Sequence, residues 1–145
     1  MESLIAAAFL WESGLGTYEE YNKILDEKFL ENPNSDIFLE LEWCSSDCDK
    51  TFSVINNLLN YEYFKSFNVD VFGERLFRGL KSVYMSNAIS FDEFGKRCYQ
   101  LWNCLPAEIN QIEPFWTLGY ADDCISYGDD AQARKLYEKA FSFYQ

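Results

Sequence analysis

The sequence contains no histidine, which removes the usual general base beside a serine or cysteine nucleophile and also the commonest metal ligand. It lacks a glycine-rich phosphate loop, because Gly14 and Gly16 alone are too weak a match. Adjacent carboxylates occur at 122–123 and 129–130, but neighbours on a helix point in different directions, and acids at helix caps are commoner than acid–base pairs. We therefore predict neither an enzyme nor a cofactor-binding protein.

Helix-breaking residues are also scarce, with only three prolines and seven glycines in 145 residues. Long uninterrupted segments remain, which favour helices over a many-turned β-sandwich. The length is that of one domain, and 48% hydrophobic residues supply ample material for a core. Because no linker divides the chain, we predict a single helical domain over residues 1–145.

Long apolar runs are absent as well. The run from Leu4 to Trp11 is only eight residues long, too short to span a bilayer, and Glu2 precedes it where a signal peptide would carry a basic residue. We expect a buried helix here and a cytoplasmic protein.

The five cysteines are then expected to be reduced thiols. Cys44 and Cys48 are spaced like a ligand pair, but further zinc ligands are missing, so we predict no metal site.

Apolar residues recur at intervals of three and four, and capping residues precede these stretches. Ser45 and Ser46 are predicted to cap the helix at 47–60, and Pro106 and Pro114 each suit the first position of a helix. The pattern predicts helices over 2–12, 17–31, 47–60, 69–86, 91–104, 107–112, 115–127 and 130–143. Residues 61–67 are expected to prolong or close the helix before them. Residues 36–43 alternate as in a strand, but Phe38 breaks the alternation and the neighbours are helical, so we predict a helix. These elements predict an all-α antiparallel array of about seven or eight helices.

The C-terminal segment 127–141 resembles the turn and second helix of a tetratricopeptide repeat. The resemblance rests on Gly128, Ala133, Tyr137 and Ala140, with Ala121 in the preceding helix. It implies close contact of two antiparallel helices at small residues, with Tyr137 filling the space between them. No second copy follows at an offset of about 34 residues, so the resemblance implies one repeat-like hairpin rather than an array.

The net charge of −12 is unevenly distributed. Residues 1–64 hold thirteen acids and three lysines, a net charge of −10, whereas residues 65–145 hold eleven acids and nine bases, a net charge of −2. This balance argues against binding bare nucleic acid or an anionic membrane, since phosphates require basic side chains. With 19% aromatic residues, it indicates a surface that captures a basic partner. We expect the surplus carboxylates to form one outward-facing zone.

A sharper prediction concerns the segment from residue 36 to residue 49. If 36–47 is largely helical, its acids and its tryptophan fall in one row at steps of four, three and four, with two further acids beside it. The predicted partner-binding residues are Asp36, Glu40, Glu42, Trp43, Asp47 and Asp49. In such a patch the ring anchors the partner while the carboxylates align arginines and lysines. The alternative is that Trp43 belongs to the core and the acids form a solvated face.

In size, charge and domain character, the whole chain resembles bacterial immunity proteins. These proteins neutralise toxin domains that neighbouring cells deliver, as in colicin and contact-dependent inhibition systems. The resemblance implies an inhibitor that binds a basic toxin domain, expected to be a nuclease, through the acidic surface. The alternative hypothesis is a helical adaptor that binds a peptide or a regulatory protein in a groove beside residues 115–143, as the repeat-like hairpin suggests.

Overall fold

The computed structural model describes residues 1–61 and 66–144. Within these ranges the chain forms nine α-helices and no strand: α1 Glu2–Glu12, α2 Tyr18–Glu31, α3 Asp36–Trp43, α4 Cys48–Tyr61, α5 Val69–Ser86, α6 Phe91–Cys104, α7 Ala107–Asn110, α8 Trp116–Ser126 and α9 Asp130–Ser142. The predicted all-α class is confirmed. The described helices number nine because both short segments, α3 and α7, are helical. The predicted extension of α4 falls partly on residues 62–65, which lie outside the described residues.

Helix α1 is the centre of the fold. Its residues from Leu4 to Leu10 are all buried, and it packs against α2, α4, α5 and α6. Since neighbours surround it, apolar side chains are needed on every face. Phe9 contacts the rings of Phe52 in α4 and Phe72 in α5, with centroids 5.0 and 5.8 Å away. The apolar run is therefore a buried helix, as predicted.

The helix starts follow local side-chain capping. Thr17 accepts a hydrogen bond from the Glu20 amide at 3.2 Å, and Ser90 accepts one from the Glu93 amide at 3.1 Å. The prediction that Ser45 and Ser46 cap α4 is wrong. Both serines lie in the preceding turn, and the Asp47 carboxylate accepts the hydrogen bond from the Lys50 amide at 3.1 Å.

The predicted helix-starting prolines are also misplaced. Pro106 is the cap before α7, and α8 begins at Trp116, two residues after Pro114. The extended ψ of 145° at Pro106 keeps it outside the first turn of α7. Helix α7 still starts at Ala107, as the predicted range 107–112 has it, and α8 starts one residue after the predicted 115.

The second half of the chain packs α8 against both α6 and α9, while α9 also contacts α5. Arg97 of α6 links this group to the start of the molecule, since its Nη1 donates to the Gly14 carbonyl at 2.7 Å. The α3–α4 connection and the α8–α9 hairpin are therefore formed by separate helices. In the described part of the chain, no helix combines the length and the hydrophobicity that crossing a bilayer demands.

Candidate functional site

The connection between α3 and α4 is a short, well-anchored turn. Trp43 ends α3, and the Asp47 amide donates to the Cys44 carbonyl at 2.9 Å. The hydroxyl of buried Thr51, one turn into α4, donates to the same carbonyl at 2.9 Å. These bonds hold the end of α3 against the start of α4.

An open depression of about 690 Å³ lies between these two helix ends. We call it the acidic groove; it is lined by Glu40, Trp43, Cys44, Ser46, Asp47, Asp49, Lys50, Ser53 and Val54. Three carboxylates and one ammonium group therefore border it. Within residues 1–61 and 66–144, no ion pair joins these carboxylates to a basic group. The groove consequently presents a negative field to an approaching partner.

Trp43 is the most unusual side chain in this groove, because it is 84% exposed. The other three tryptophans are all partly buried, and in the described chain each of them contacts a tyrosine ring. One turn before Trp43, Leu39 is 45% exposed. The alternative that Trp43 belongs to the core is therefore wrong. An indole next to exposed leucine and unpaired carboxylates has the composition of an interface anchor.

The structure brings four of the six predicted site residues together and leaves two outside. Glu40, Trp43, Asp47 and Asp49 line the acidic groove, whereas Asp36 and Glu42 do not. Asp36 is exposed at the first residue of α3. The predicted single helical row is wrong, because α3 ends at Trp43 and Asp47 reaches the groove as the cap of α4.

Glu42 points instead towards α2. Burial, together with the nearby Asp26 carboxyl group, raises the pKa of Glu42 to about 6. The two carboxyl groups therefore lie close together between α2 and α3, where ionising both of them costs free energy. Neither residue of this pair lines the acidic groove.

Negative groups also gather behind the groove, at the end of α1. Burial and the neighbouring Asp49 carboxylate raise the pKa of Glu12. Burial, followed by the charges of Glu12, Asp49 and Asp47, raises the pKa of the Cys48 thiol. The charge of Asp49 in α4 thus acts on Glu12 at the end of α1.

The prediction that the surplus carboxylates form one outward-facing zone is wrong, because some of them lie at other places. Glu2 accepts a hydrogen bond from the Asn68 amide at 3.0 Å, away from the groove. Glu20 lines a separate depression with Arg75 and Arg78. Part of the negative charge of residues 1–64 therefore lies at helix starts, and another part lies around the groove.

Sequence reasoning missed Lys50, Ser53 and Val54, which form the α4 wall of the groove. Their spacing of three and four residues places them on one helical face, which could have indicated this wall. One of the two spaced cysteines makes a local contact: the Cys44 thiol donates a weak hydrogen bond to the Leu41 carbonyl at 3.7 Å. Among the described residues, no cluster of three or more potential metal ligands occurs.

The C-terminal hairpin offers a second, smaller concavity. Gly128 has a φ of +82° in the turn, which suits glycine, and Ala121, Tyr137 and Ala140 are buried. Helices α8 and α9 therefore form the predicted hairpin of two contacting helices, while its likeness to a tetratricopeptide repeat stays a prediction. A recess of about 70 Å³ lies between the two helices. We call it the hairpin groove; it is lined by Glu113, Pro114, Trp116, Thr117, Leu136, Lys139, Ala140 and Phe143.

No protein-family model, no curated protein and no solved structure matches the chain at a significant level. Function must therefore be argued from the chemistry of the two surfaces. Of these, the acidic groove combines the larger volume with an exposed indole and unpaired charge.

Proposed function

We propose that this protein is an immunity-type inhibitor that binds and neutralises a basic toxin domain, a nuclease, through the acidic groove. The observation that carries the proposal is the 84% exposure of Trp43 beside three carboxylates that form no ion pair in the described chain. A large ring held in water contributes little to folding, whereas an aromatic side chain that becomes buried on association is a typical source of binding energy.

The electrostatics suit a nuclease as the partner. A nuclease holds a phosphate backbone with lysine and arginine, so its active cleft is basic. Carboxylates presented at the same positions attract that cleft and exclude the nucleic acid. Complementary charge also accelerates encounter, to about 10⁸–10⁹ M⁻¹s⁻¹ at low salt. Burial of Trp43 would then slow dissociation, because most affinity within one interface is determined by the off-rate.

The first experiment co-expresses the chain with the product of the gene immediately upstream and tests for co-purification. With the captured partner, the double variant Glu40→Lys/Asp49→Lys is expected to reduce the association rate at least about tenfold and to flatten its salt dependence. Asp47 is spared because it caps α4, and Glu42 because it faces α2.

The matched control is Asp92→Lys/Glu108→Lys. Both residues are exposed acids outside the groove, and Asp92 is the second residue of α6, just as Asp49 is the second residue of α4. The control changes the net charge by the same amount, so it separates a local effect from a general one. Equal losses in the two double variants would remove the groove from the interface.

A second measurement tests how much the Trp43 ring contributes to binding. Trp43→Ala is expected to weaken binding by about 2 kcal/mol or more, roughly 30-fold in Kd, as for an interface anchor. Tyr127→Ala is the comparison variant, because the Tyr127 ring is 88% exposed but lines neither groove. An unchanged dissociation rate in Trp43→Ala would contradict the proposal.

The adaptor hypothesis is favoured by one observation, the apolar hairpin groove beside Trp116 and Phe143. It predicts that a partner is lost through substitutions at the hairpin and retained in Glu40→Lys/Asp49→Lys. The same co-purification therefore distinguishes the two functions. We place the inhibitor first because the hairpin groove, at about 70 Å³, is far smaller than the acidic groove.

A further inference from the structure

The outer face of the α8–α9 hairpin carries an apolar surface that the proposed inhibitor function does not use. Trp116 and Tyr120 lie one turn apart on α8 and Ile112 lies in the connection before it, and Ile112 and Tyr120 are large exposed side chains. The Trp116 and Tyr120 rings are 5.6 Å apart. Across the hairpin groove, α9 contributes Leu136, and Phe143 just beyond its end is 50% exposed. Contiguous exposed apolar side chains of this kind mark interaction surfaces.

This face also carries one charge of each sign. Glu113 and Lys139 both line the hairpin groove and both are exposed. Neither takes part in an ion pair in the part of the chain that the structure describes. A patch with an acid and a base beside the same apolar strip is complementary to a copy of itself rotated by 180°. In such a two-fold contact, residue i meets residue j and residue j meets residue i.

We propose that this face binds a second copy of the same chain, with Glu113 of each copy opposite Lys139 of the other and the Trp116–Phe143 strip between them. The charge distribution favours this occupant. The half of the chain up to residue 64 has a net charge of −10 and repels its own copy, whereas the remainder has a net charge of only −2. At the hairpin groove itself the two charged lining residues, Glu113 and Lys139, sum to zero, so two copies meet there with little repulsion.

The shape of the face supports a helical surface rather than a small ligand as its occupant. Ligand pockets typically measure about 300–1,000 Å³, whereas this groove measures about 70 Å³. The exposed rings of Tyr120 and Phe143 instead offer apolar side chains to another helical surface. The acidic groove is formed by α3 and α4 and this face by α8 and α9. The dimer is therefore independent of the inhibitor function.

Sedimentation velocity of the purified chain tests the proposal. We expect a concentration-dependent shift from monomer to dimer between about 1 μM and about 1 mM, the range of a weak interface. Phe143→Glu is expected to raise the dimer Kd at least about tenfold. The control is Tyr127→Glu, which changes a ring that is 88% exposed in the same hairpin but lies outside the groove. Its dimer Kd is expected to match that of the unaltered chain.

A charge swap makes the test specific to the two-fold geometry. Lys139→Glu places carboxylates opposite each other and is expected to weaken the dimer, while Glu113→Lys/Lys139→Glu exchanges the charges and restores it. Thermal unfolding of each variant confirms that the fold is retained. A chain that stays monomeric up to about 1 mM overturns the proposal. So does a dimer that tolerates both Phe143→Glu and Lys139→Glu, or one that the charge swap fails to recover.

Discussion

Trp43, beside the acidic groove, is 84% exposed, whereas Tyr137, in the α8–α9 hairpin, is fully buried. Tyr137 is enclosed by other rings. The distances between ring centroids are 5.1 Å to Phe94 and 5.9 Å to Phe91, both edge-on, and 6.1 Å to Tyr84. Within residues 1–61 and 66–144, Trp43 has no such ring neighbour. Two aromatic side chains of similar size therefore stand in opposite environments.

The charged groups around the two rings differ in the same way. Near the second half of the molecule, acids and bases pair along helices, as Glu93 does with Arg97 and Glu74 does with Arg78. Around the acidic groove, no ion pair in the described chain neutralises Glu40 or Asp49. Folding stability accounts for the buried ring and the paired charges. It does not account for an exposed indole among unpaired carboxylates, which is why we propose a recognition role for that region.

The largest expected difference between the two regions is in stability. Tyr137→Ala should lower the free energy of unfolding by about 3–5 kcal/mol, because it leaves a cavity among closely packed rings. Trp43→Ala should change the same quantity by less than about 0.5 kcal/mol, since an exposed side chain loses few contacts. Urea denaturation followed by circular dichroism measures both.

Tyr137→Phe serves as the control for the ring itself. The Tyr137 hydroxyl is buried and has no hydrogen-bond partner among the described residues, so its removal should not destabilise the protein. A large loss of stability in Trp43→Ala, or none in Tyr137→Ala, would invert the comparison. The groove would then be a structural feature.

The helices and their buried faces could be predicted because they depend on local spacing. The apolar stripe and the polar cap at Asn68 define α5, whose ends Val69 and Ser86 match the prediction. The inward positions of α6 also follow from spacing, because Phe94, Cys98 and Leu101 are all buried. Such features require no knowledge of distant contacts.

The site was less predictable because it depends on tertiary contacts. Ser45, Ser46 and Asp47 are all good capping residues, and the choice of Asp47 accompanies the bond from Thr51 to Cys44, seven residues apart. The exposure of Trp43 follows from the packing of α3 on α2, which buries Phe38 and Leu41 and leaves the opposite face in solvent. The same packing directs Glu42 towards Asp26 and away from the predicted patch.

A smaller effect is expected at Asp47, where the proposed binding role and the capping role overlap. Asp47→Ala removes the acceptor for the Lys50 amide and should lower the free energy of unfolding by about 1 kcal/mol. Asp47→Asn retains a capping side chain and should cost a few tenths of a kcal/mol at most. Partner affinity adds the second readout. If Asn preserves stability but weakens binding, the carboxylate charge acts in recognition; equal affinities would limit Asp47 to capping.

The smallest effect concerns the carboxyl pair of Glu42 and Asp26 beside the groove. The pKa of Glu42 is about 6 in the folded protein, against an ordinary value of 4.5. Between these pH values the folded state binds more protons than the unfolded state, so the free energy of unfolding falls as the pH rises through them. Glu42→Gln removes this loss. We expect it to leave stability nearly unchanged at a pH below 4.5 and to raise it by less than about 1 kcal/mol at neutral pH, since solvent screens a partly exposed group.

A double-mutant cycle with Asp26→Asn tests the cause of that shift. If the Asp26 carboxylate helps to raise the pKa of Glu42, the gain from Glu42→Gln should shrink once Asp26→Asn is present. If the gain is the same in both backgrounds, desolvation alone is responsible, and the two acids do not interact. A positive coupling would show that the N-terminal half tolerates unfavourable charge even outside the groove. In the second half of the chain, Glu93 forms an ion pair with Arg97. Glu93→Gln removes this ion pair, so we expect no comparable rise in the free energy of unfolding.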